Sequence, residues 1–239
     1  VSITVVIPTY NEARNLPVVV KQLLTLPLDN VSVLVIDDNS PDGTGEVAES
    51  LAKEWPGRVT VIHRAGKMGL GTAYKLGFQQ AVRTGADFVV QMDVDGSHDP
   101  RAIIDMLKVL NEADIAVGSR YVAGGGVDRD WGWYRRIISK GANYYSRAVL
   151  GLTQHDLTNG YKCYRRQVLE KVPVNRVKSK GYLFQIEMAY LCNKYGFKTV
   201  EVPIQFLPRL AGRSKLSWKV ILEVFWRVWQ IRFQDYSRD

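Results

Sequence analysis

Val31-Ser32-Val33-Leu34-Val35-Ile36-Asp37-Asp38-Asn39-Ser40-Pro41-Asp42-Gly43 is the stretch that decides the fold. Its first six residues are almost continuously apolar and largely β-branched, and the run then breaks into a polar turn. A strand buried on one face alternates apolar with polar residues. A continuous apolar strand is covered on both faces, as in a parallel sheet beneath helices. Working outward, Ser2 to Ile7 is another such strand, bounded by Pro8, and residues 12–26 carry apolar side chains at helical spacing with Asn11 placed as a cap. Downstream the pattern predicts a helix at 44–54, a strand at 59–63, a helix at 70–83 and a strand at 87–92. A helix beginning near Pro100 and a strand at 115–117 follow. This alternation is that of an α/β protein with a Rossmann-like, mostly parallel sheet flanked by helices. Such sheets bind ligands outside the carboxyl ends of their strands, so the polar clusters after strands one, two and four should form one composite site.

Beyond Gly118 the pattern changes. Gly124-Gly125-Gly126 and residues 128–133 read as a mobile loop before a helix at 134–149. A helix at 182–195 lies between Gly181 and Gly196, and a strand at 198–203 leads into a basic loop at 209–215. We divide the chain into a main unit, residues 1–216, and a C-terminal amphipathic segment, residues 217–239.

With 239 residues, 46% hydrophobic and 23% charged, the chain can bury a core without disulfides or structural metals. Its net charge of +8 points to an anionic partner: nucleic acid, a membrane surface or a phosphorylated substrate. Cys163 and Cys192 lack metal or redox spacing and read as buried thiols of a reduced compartment. No signal peptide opens the chain, and the missing initiator Met points to processing or to a piece of a longer protein. No apolar run reaches the roughly 18 residues that a membrane span needs.

Met92-Asp93-Val94-Asp95 carries the chemistry. Two carboxylates one residue apart emerge from a buried strand where the sheet opens. Hard oxygen donors of this kind suit Mg²⁺ or Mn²⁺, which take further oxygens from a bound diphosphate. An isolated pair of this kind reads more readily as a solvated strand-end turn; the neighbouring clusters favour the metal. Asp37 and Asp38 can accept bonds from a base edge or ribose hydroxyls, or cap the next helix before Gly43, with Asp42 or Thr44 better placed for capping. Pro8-Thr9-Tyr10-Asn11-Glu12 offers an aromatic face and a carboxylate. Gly66-Lys67-Met68-Gly69-Leu70-Gly71 matches neither phosphate-loop spacing and reads as a turn and helix start. His98 could touch the metal shell, though a surface position is the plainer expectation; His63 and His155 are given no role.

Val6-Ile7-Pro8-Thr9-Tyr10-Asn11-Glu12, Val35-Ile36-Asp37-Asp38-Asn39-Ser40, Met92 to His98 and Gly118-Ser119-Arg120-Tyr121, in this order, resemble the GT-A family 2 glycosyltransferases. Ser40-Pro41-Asp42-Gly43-Thr44, residues 156–162, residues 181–187 and Arg213-Ser214-Lys215-Leu216 more narrowly resemble the dolichol- or polyprenol-phosphate mannose synthases. The resemblance covers nearly the whole chain. It implies a GT-A fold in which Pro8, Tyr10, Glu12, Ile36 and Asp38 hold the guanosine end of GDP-mannose. Asp93, Val94 and Asp95 would serve the sugar diphosphate, with Asp95 and Ser97 on the metal. Arg120, Arg213 and Lys215 would hold phosphates, and Asp93, Asp95 and Arg120 would be the catalytic set. Ser97 stands where some relatives have Gln, and Asn159 where many have Gly.

The implied reaction transfers mannose with inversion to dolichyl or polyprenyl phosphate. A lipid monophosphate carries its own anionic oxygen near neutrality, so no dedicated base is required. Arg129, Arg135 and Arg136 are further acceptor-phosphate candidates and equally candidates for solvent or the membrane. The Trp-rich segment 218–233 is apolar but interrupted by Lys219, Glu223, Arg227 and Arg232. It reads as a helix at a membrane interface or one packed on the domain. Residues 131–136 are a second interfacial candidate. Together these place the chain at the cytoplasmic face of a membrane, either peripheral or held by a C-terminal extension or an anchoring subunit. Rival readings are transfer of glucose or another sugar to polyprenyl phosphate, and polymerising transfer, which the absence of a QxxRW motif disfavours. Nucleic-acid binding is disfavoured by the carboxylates in the cleft.

Overall fold

In the computed structural model, which describes residues 1–128, 132–179, 181–208 and 218–236, the decisive stretch is β2, Val31–Asp37. It lies between β1 (Ile3–Thr9) and β3 (Val59–His63), parallel to both, with Val5 opposite Val33 and Val35 opposite Val61. β4 (Phe88–Gln91) pairs in parallel with the other side of β1. The sheet has seven strands, ordered β3-β2-β1-β4-β7-β5-β8, where β5 is Ile115–Ser119, β7 is Lys162–Arg165 and β8 is Thr199–Pro203. β7 is antiparallel to both its neighbours, and β5 and β8 are parallel. A two-stranded ribbon joins β6 (Gly126–Val127) to β9 (Gln205–Phe206).

Helices α1 (Leu16–Leu24), α2 (Thr44–Glu54), α3 (Leu70–Arg83) and α4 (Ala102–Val109) cover the sheet, as the apolar runs require. One face packs Val5, Ile7, Val33 and Val35 against Leu16, Val20 and Leu23. The other packs Val6, Leu34 and Ile36 against Tyr74, Phe78 and Phe184. Gly77 lets α3 lie directly on β1: a Cβ there would sit 2.2 Å from Val6 Cγ1.

Three expectations are corrected. α1 begins at Leu16 rather than near Glu12, and Asn11 is no cap; it takes a positive φ of 62°, and its N–H donates to Ser40 Oγ at 3.1 Å. Gly124 to Gly126 is no loose loop, since Gly125 N–H donates to Val122 O at 2.9 Å and Gly126 N–H to Ile204 O at 2.9 Å. Strand β7, with charged residues at both ends, carries no recognisable strand signal in the sequence. Both cysteines are free and buried, as expected.

α5 (Trp133–Leu150), α7 (Tyr182–Lys194) and α8 (Trp218–Phe233) form a third apolar cluster, with α6 (Arg166–Lys171) between β7 and α7. Val224, Val228 and Ile231 of α8 are buried against Leu150, Leu183 and Ile186. The opposite side of α8 exposes Phe225, Trp226, Trp229 and Phe233, and α5 exposes Trp133, Tyr134, Ile137 and Tyr144. One face of this helix is therefore packed on the domain, and the other leaves its aromatic rings exposed. Among the described residues, no helix is long and apolar enough to cross a membrane.

Candidate active site

The carboxyl edge of the sheet gathers the loops after β1, β2, β4 and β5. Because β7 runs the opposite way, it also gathers the loop before β7. After β4, Met92 and Val94 are buried in the core while Asp93 and Asp95 are half-buried. This leaves the two carboxylates at the surface of the edge. Tyr74 OH donates to Asp93 Oδ1 at 3.0 Å. Burial and the Asp93 charge push the Tyr74 hydroxyl well above its ordinary pKa, so it stays a proton donor in this bond.

Ser97 holds Asp95: its N–H and its hydroxyl donate to Asp95 Oδ1 at 3.0 and 2.5 Å. Ser97 is fully buried. Its hydroxyl orients the carboxylate expected to hold a metal and lies directly beside it. His98 is likewise buried rather than a surface residue. Its Nδ1 accepts the Asp93 N–H at 3.2 Å, so Nε2 carries the proton and donates to Asn159 Oδ1 at 3.0 Å. Asn159 Nδ2 in turn donates to Gly118 O at 2.5 Å. His98 stacks on Tyr161 with centroids 4.7 Å apart. Both ring nitrogens are thus used in bracing the carboxylate turn, a role that needs a partner 61 residues away and left no local signal.

At the β1–β2 end, Asp37 is a structural acceptor, taking bonds from Thr9 Oγ1 at 3.0 Å and Ser40 Oγ at 2.6 Å. Asp42 caps α2 through Thr44 and holds Ala13 N–H, and Thr44 Oγ1 accepts the Glu12 N–H at 2.9 Å. The Ser40 to Thr44 turn therefore fixes the loop carrying Tyr10 and Glu12. Lys67 Nζ lies 4.0 Å over the Tyr10 ring. Asp38 is paired with Arg64, whose guanidinium also donates to Thr72 Oγ1 at 2.7 Å. Arg64 is a site residue that the motifs did not single out. Ile36 does not face the site: its side chain lies in the core between β2 and α3.

Arg120 has a protein partner that the motifs did not indicate. It is buried, its Nε and Nη2 donate to Asp156 Oδ2 and Oδ1 at 2.7 Å each, and Nη2 also donates to Thr158 Oγ1 at 2.9 Å. Burial lowers the pKa of the guanidinium, but the Asp156 charge outweighs it and raises the value. These bonds tie Arg120 to the loop before β7 through Nε and Nη2. Arg213 and Lys215 lie outside the described residues, as does Arg129.

Among the described residues, no group of three His, Cys, Asp or Glu side chains could hold a metal. Asp93 and Asp95 nonetheless fit one of a definite kind. Mg²⁺ and Mn²⁺ bound with a nucleotide take one or two protein carboxylates and complete their shell with phosphate oxygens and water.

The family model described as "Glycosyl transferase family 2" matches residues 4–173. The chain is 49% identical over 231 residues, 95% of this chain and 86% of the relative, to polyprenol monophosphomannose synthase of Mycolicibacterium smegmatis. It is 42% identical over 218 residues, 91% of this chain and 88% of the relative, to undecaprenyl-phosphate mannosyltransferase of Micrococcus luteus. Among solved structures, glucosyl-3-phosphoglycerate synthase from Mycobacterium tuberculosis with uridine diphosphate superposes with TM-score 0.70 at 18% identity, over 98% of this chain and 82% of that one. A mannosyltransferase from Pyrobaculum calidifontis, in complex with GDP-Man and Mn²⁺, gives TM-score 0.62 at 18% identity, over 92% and 60%. The sheet, the carboxylate turn at its edge and the near full-length match to these relatives agree: the chain belongs to glycosyl transferase family 2.

Proposed function

We propose that the protein transfers mannose from GDP-mannose to polyprenyl phosphate, with inversion at the anomeric carbon and with Mg²⁺ or Mn²⁺ bound. The observation that carries this reading is the 49% and 42% identity to two relatives whose names both specify mannosyl transfer to a polyprenyl phosphate. Both matches span more than nine-tenths of this chain.

The geometry supports a mechanism without a protein base. The acceptor phosphate is ionised near neutrality and attacks the anomeric carbon itself, while the nucleoside diphosphate departs from the opposite face. The protein's task is to bring two anions together and to stabilise the charge that develops on the diphosphate. Asp95, steadied by Ser97, and Asp93, steadied by Tyr74, would hold the divalent cation, which when bound supplies positive charge to the diphosphate oxygens. Tyr10, Glu12 and Asp38 would take the nucleoside, with Asp38 held in place by Arg64. Arg213 and Lys215 would supply the phosphate-binding cations, with Arg135 and Arg136 at the start of α5 nearer the acceptor.

A polyprenyl acceptor reaches the enzyme from a bilayer, and the exposed aromatic faces of α5 and α8 suit its headgroup region, where amphipathic rings settle. We place the enzyme on the cytoplasmic face of a membrane, held by these faces, by an extension of the chain or by an anchoring subunit. The reading is tested by incubating the protein with polyprenyl phosphate, Mn²⁺ and each of GDP-mannose, GDP-glucose and UDP-glucose, all labelled in the sugar. Label in the organic extract from GDP-mannose alone is expected. Equal transfer from a glucose donor would move the assignment to the glucosyl relatives, and no labelled lipid from any donor would remove it.

A further inference from the structure

Gln185 stands in the first turn of α7, is 2% exposed, and among the described residues neither its Oε1 nor its Nε2 has a hydrogen-bond partner. A buried amide left unpaired costs about 1–3 kcal/mol for each missing bond, so a fold that keeps one there is holding it for a partner. Its position shows which partner. The point that a Cβ on Gly160 would occupy is 3.5 Å from Gln185 Nε2, 3.5 Å from Asp93 Oδ2 and 3.6 Å from Asp93 Oδ1. The carboxamide and the first carboxylate of the metal-binding turn therefore flank one small space, and Gly160 keeps it open.

The supports of Gln185 are rigid. Lys162 Nζ donates to the Gln185 carbonyl at 3.0 Å, tying this turn of α7 to β7. The next-door Phe184 stacks on Tyr74, centroids 6.0 Å apart, and Tyr74 is the residue that holds Asp93. Carboxamide and carboxylate are thus positioned by one packed unit.

We propose that the Gln185 carboxamide reads a hydroxyl of the sugar being transferred. The proposal rests on the functional reading above and adds a specificity residue to it. An amide both donates and accepts, and so does a hydroxyl. A phosphate only accepts, which would leave Oε1 unpaired and set an anion against Asp93. A metal ion would take Oε1 and repel Nε2. A polyprenyl chain offers nothing to either atom. Neighbouring sugar hydroxyls satisfy both sides: one accepts from Nε2 and donates its proton to the Asp93 carboxylate, and the next donates to Oε1.

The test is calorimetric binding, in Mn²⁺, of GDP, GDP-mannose and the singly deoxygenated GDP-mannoses to the wild type and to Gln185→Met, a near-isostere without the amide. The wild type should bind one deoxy donor about 10- to 100-fold more weakly than GDP-mannose. In Q185M that penalty should vanish, with GDP affinity within about twofold of wild type. Should Q185M fail to fold, Gly160→Ala serves: its methyl enters the shared space at ordinary contact distance and should weaken GDP-mannose but not GDP. The proposal is overturned if the wild type binds GDP-mannose no better than GDP. It is also overturned if Q185M ranks the deoxy donors as the wild type does, or if G160A leaves GDP-mannose affinity untouched. Failure of the functional reading would appear separately, as absence of lipid-linked product in the transfer assay.

Discussion

The guanidinium of Arg120 and the carboxylate of Asp156 meet as two matched forks, Nε to Oδ2 and Nη2 to Oδ1, both at 2.7 Å and both shut away from solvent. Removing one partner strands the other charge in the interior. Asp156→Ala should therefore destabilise the protein by about 3–5 kcal/mol in urea titrations. Arg120→Ala combined with Asp156→Ala should cost less than the sum of the single changes. A phosphate-clamping Arg120 would instead show little loss of stability and a large rise in acceptor KM.

The carboxylate turn should behave differently, because Asp93 and Asp95 are half-buried at the sheet edge and are the side chains proposed to hold a cation. Asp95→Ala is expected to lower kcat by about 100- to 1,000-fold with a melting temperature close to wild type. Calorimetry should show that it no longer takes up Mn²⁺ in the presence of GDP. EDTA should silence the wild type, and Mn²⁺ should restore it.

Buried Lys162 links stability to pH. Burial lowers its pKa from 10.5 to about 8, so between those values the unfolded chain binds the proton and the folded chain does not. Stability from this residue therefore rises as pH climbs through 8 towards 10.5, and below 8 the full cost of burying the charge is carried. At roughly 1.4 kcal/mol per pH unit, wild type should gain about 2–3 kcal/mol over Lys162→Met between pH 7 and 10. Parallel denaturation curves for the two proteins would remove the assignment.

Two glycines should respond in opposite ways. Gly77→Ala drives a methyl into Val6 and should cost about 1–3 kcal/mol or more by overpacking. Gly160→Ala meets its neighbours only at contact distance and should leave the urea midpoint nearly unchanged while depressing turnover.

On the aromatic face proposed to meet a membrane, Trp133 and Trp226 are 75% and 71% exposed on helices that pack against each other, with Tyr145 of α5 donating to Phe225 O of α8 at 2.9 Å. Trp133→Ser with Trp226→Ser should weaken co-sedimentation with anionic vesicles by about tenfold or more. Turnover of a short-chain, freely soluble polyprenyl phosphate should stay unchanged. Equal loss in both assays would place these rings in the catalytic machinery instead.

The first half of the fold was legible because each strand from β1 to β5 is a short apolar run and each helix repeats its apolar residues at helical spacing. Those periodicities are local, and so is the rule that puts a binding edge at the strand ends. What escaped depends on pairing across the chain. Strand β7 is recognisable only from its neighbours, since Lys162 is buried by β4 and β5 rather than by any pattern of its own. The Asp156 partner of Arg120 lies 36 residues away, and His98 reads as a surface residue although Asn159 and Tyr161 enclose it. Asp93 and Asp95 could be singled out because the carboxylates at the end of a buried strand stand in order with the polar clusters after the other strands. Gln185 could not, because a glutamine inside a helix becomes informative only when its amide is seen to lack a partner.

The reversed direction of β7 also bears on how the enzyme is made. A chain leaving the ribosome has the loop after β1 and, just after β4, both carboxylates, yet β4 and β5 have no strand between them until Lys162 to Arg165 emerges. The same late stretch brings Asn159, Gly160 and the partner of Arg120. A nascent chain therefore presents the acidic turn before it has the strand that joins β4 to β5 and before it has the partners that brace His98 and Arg120.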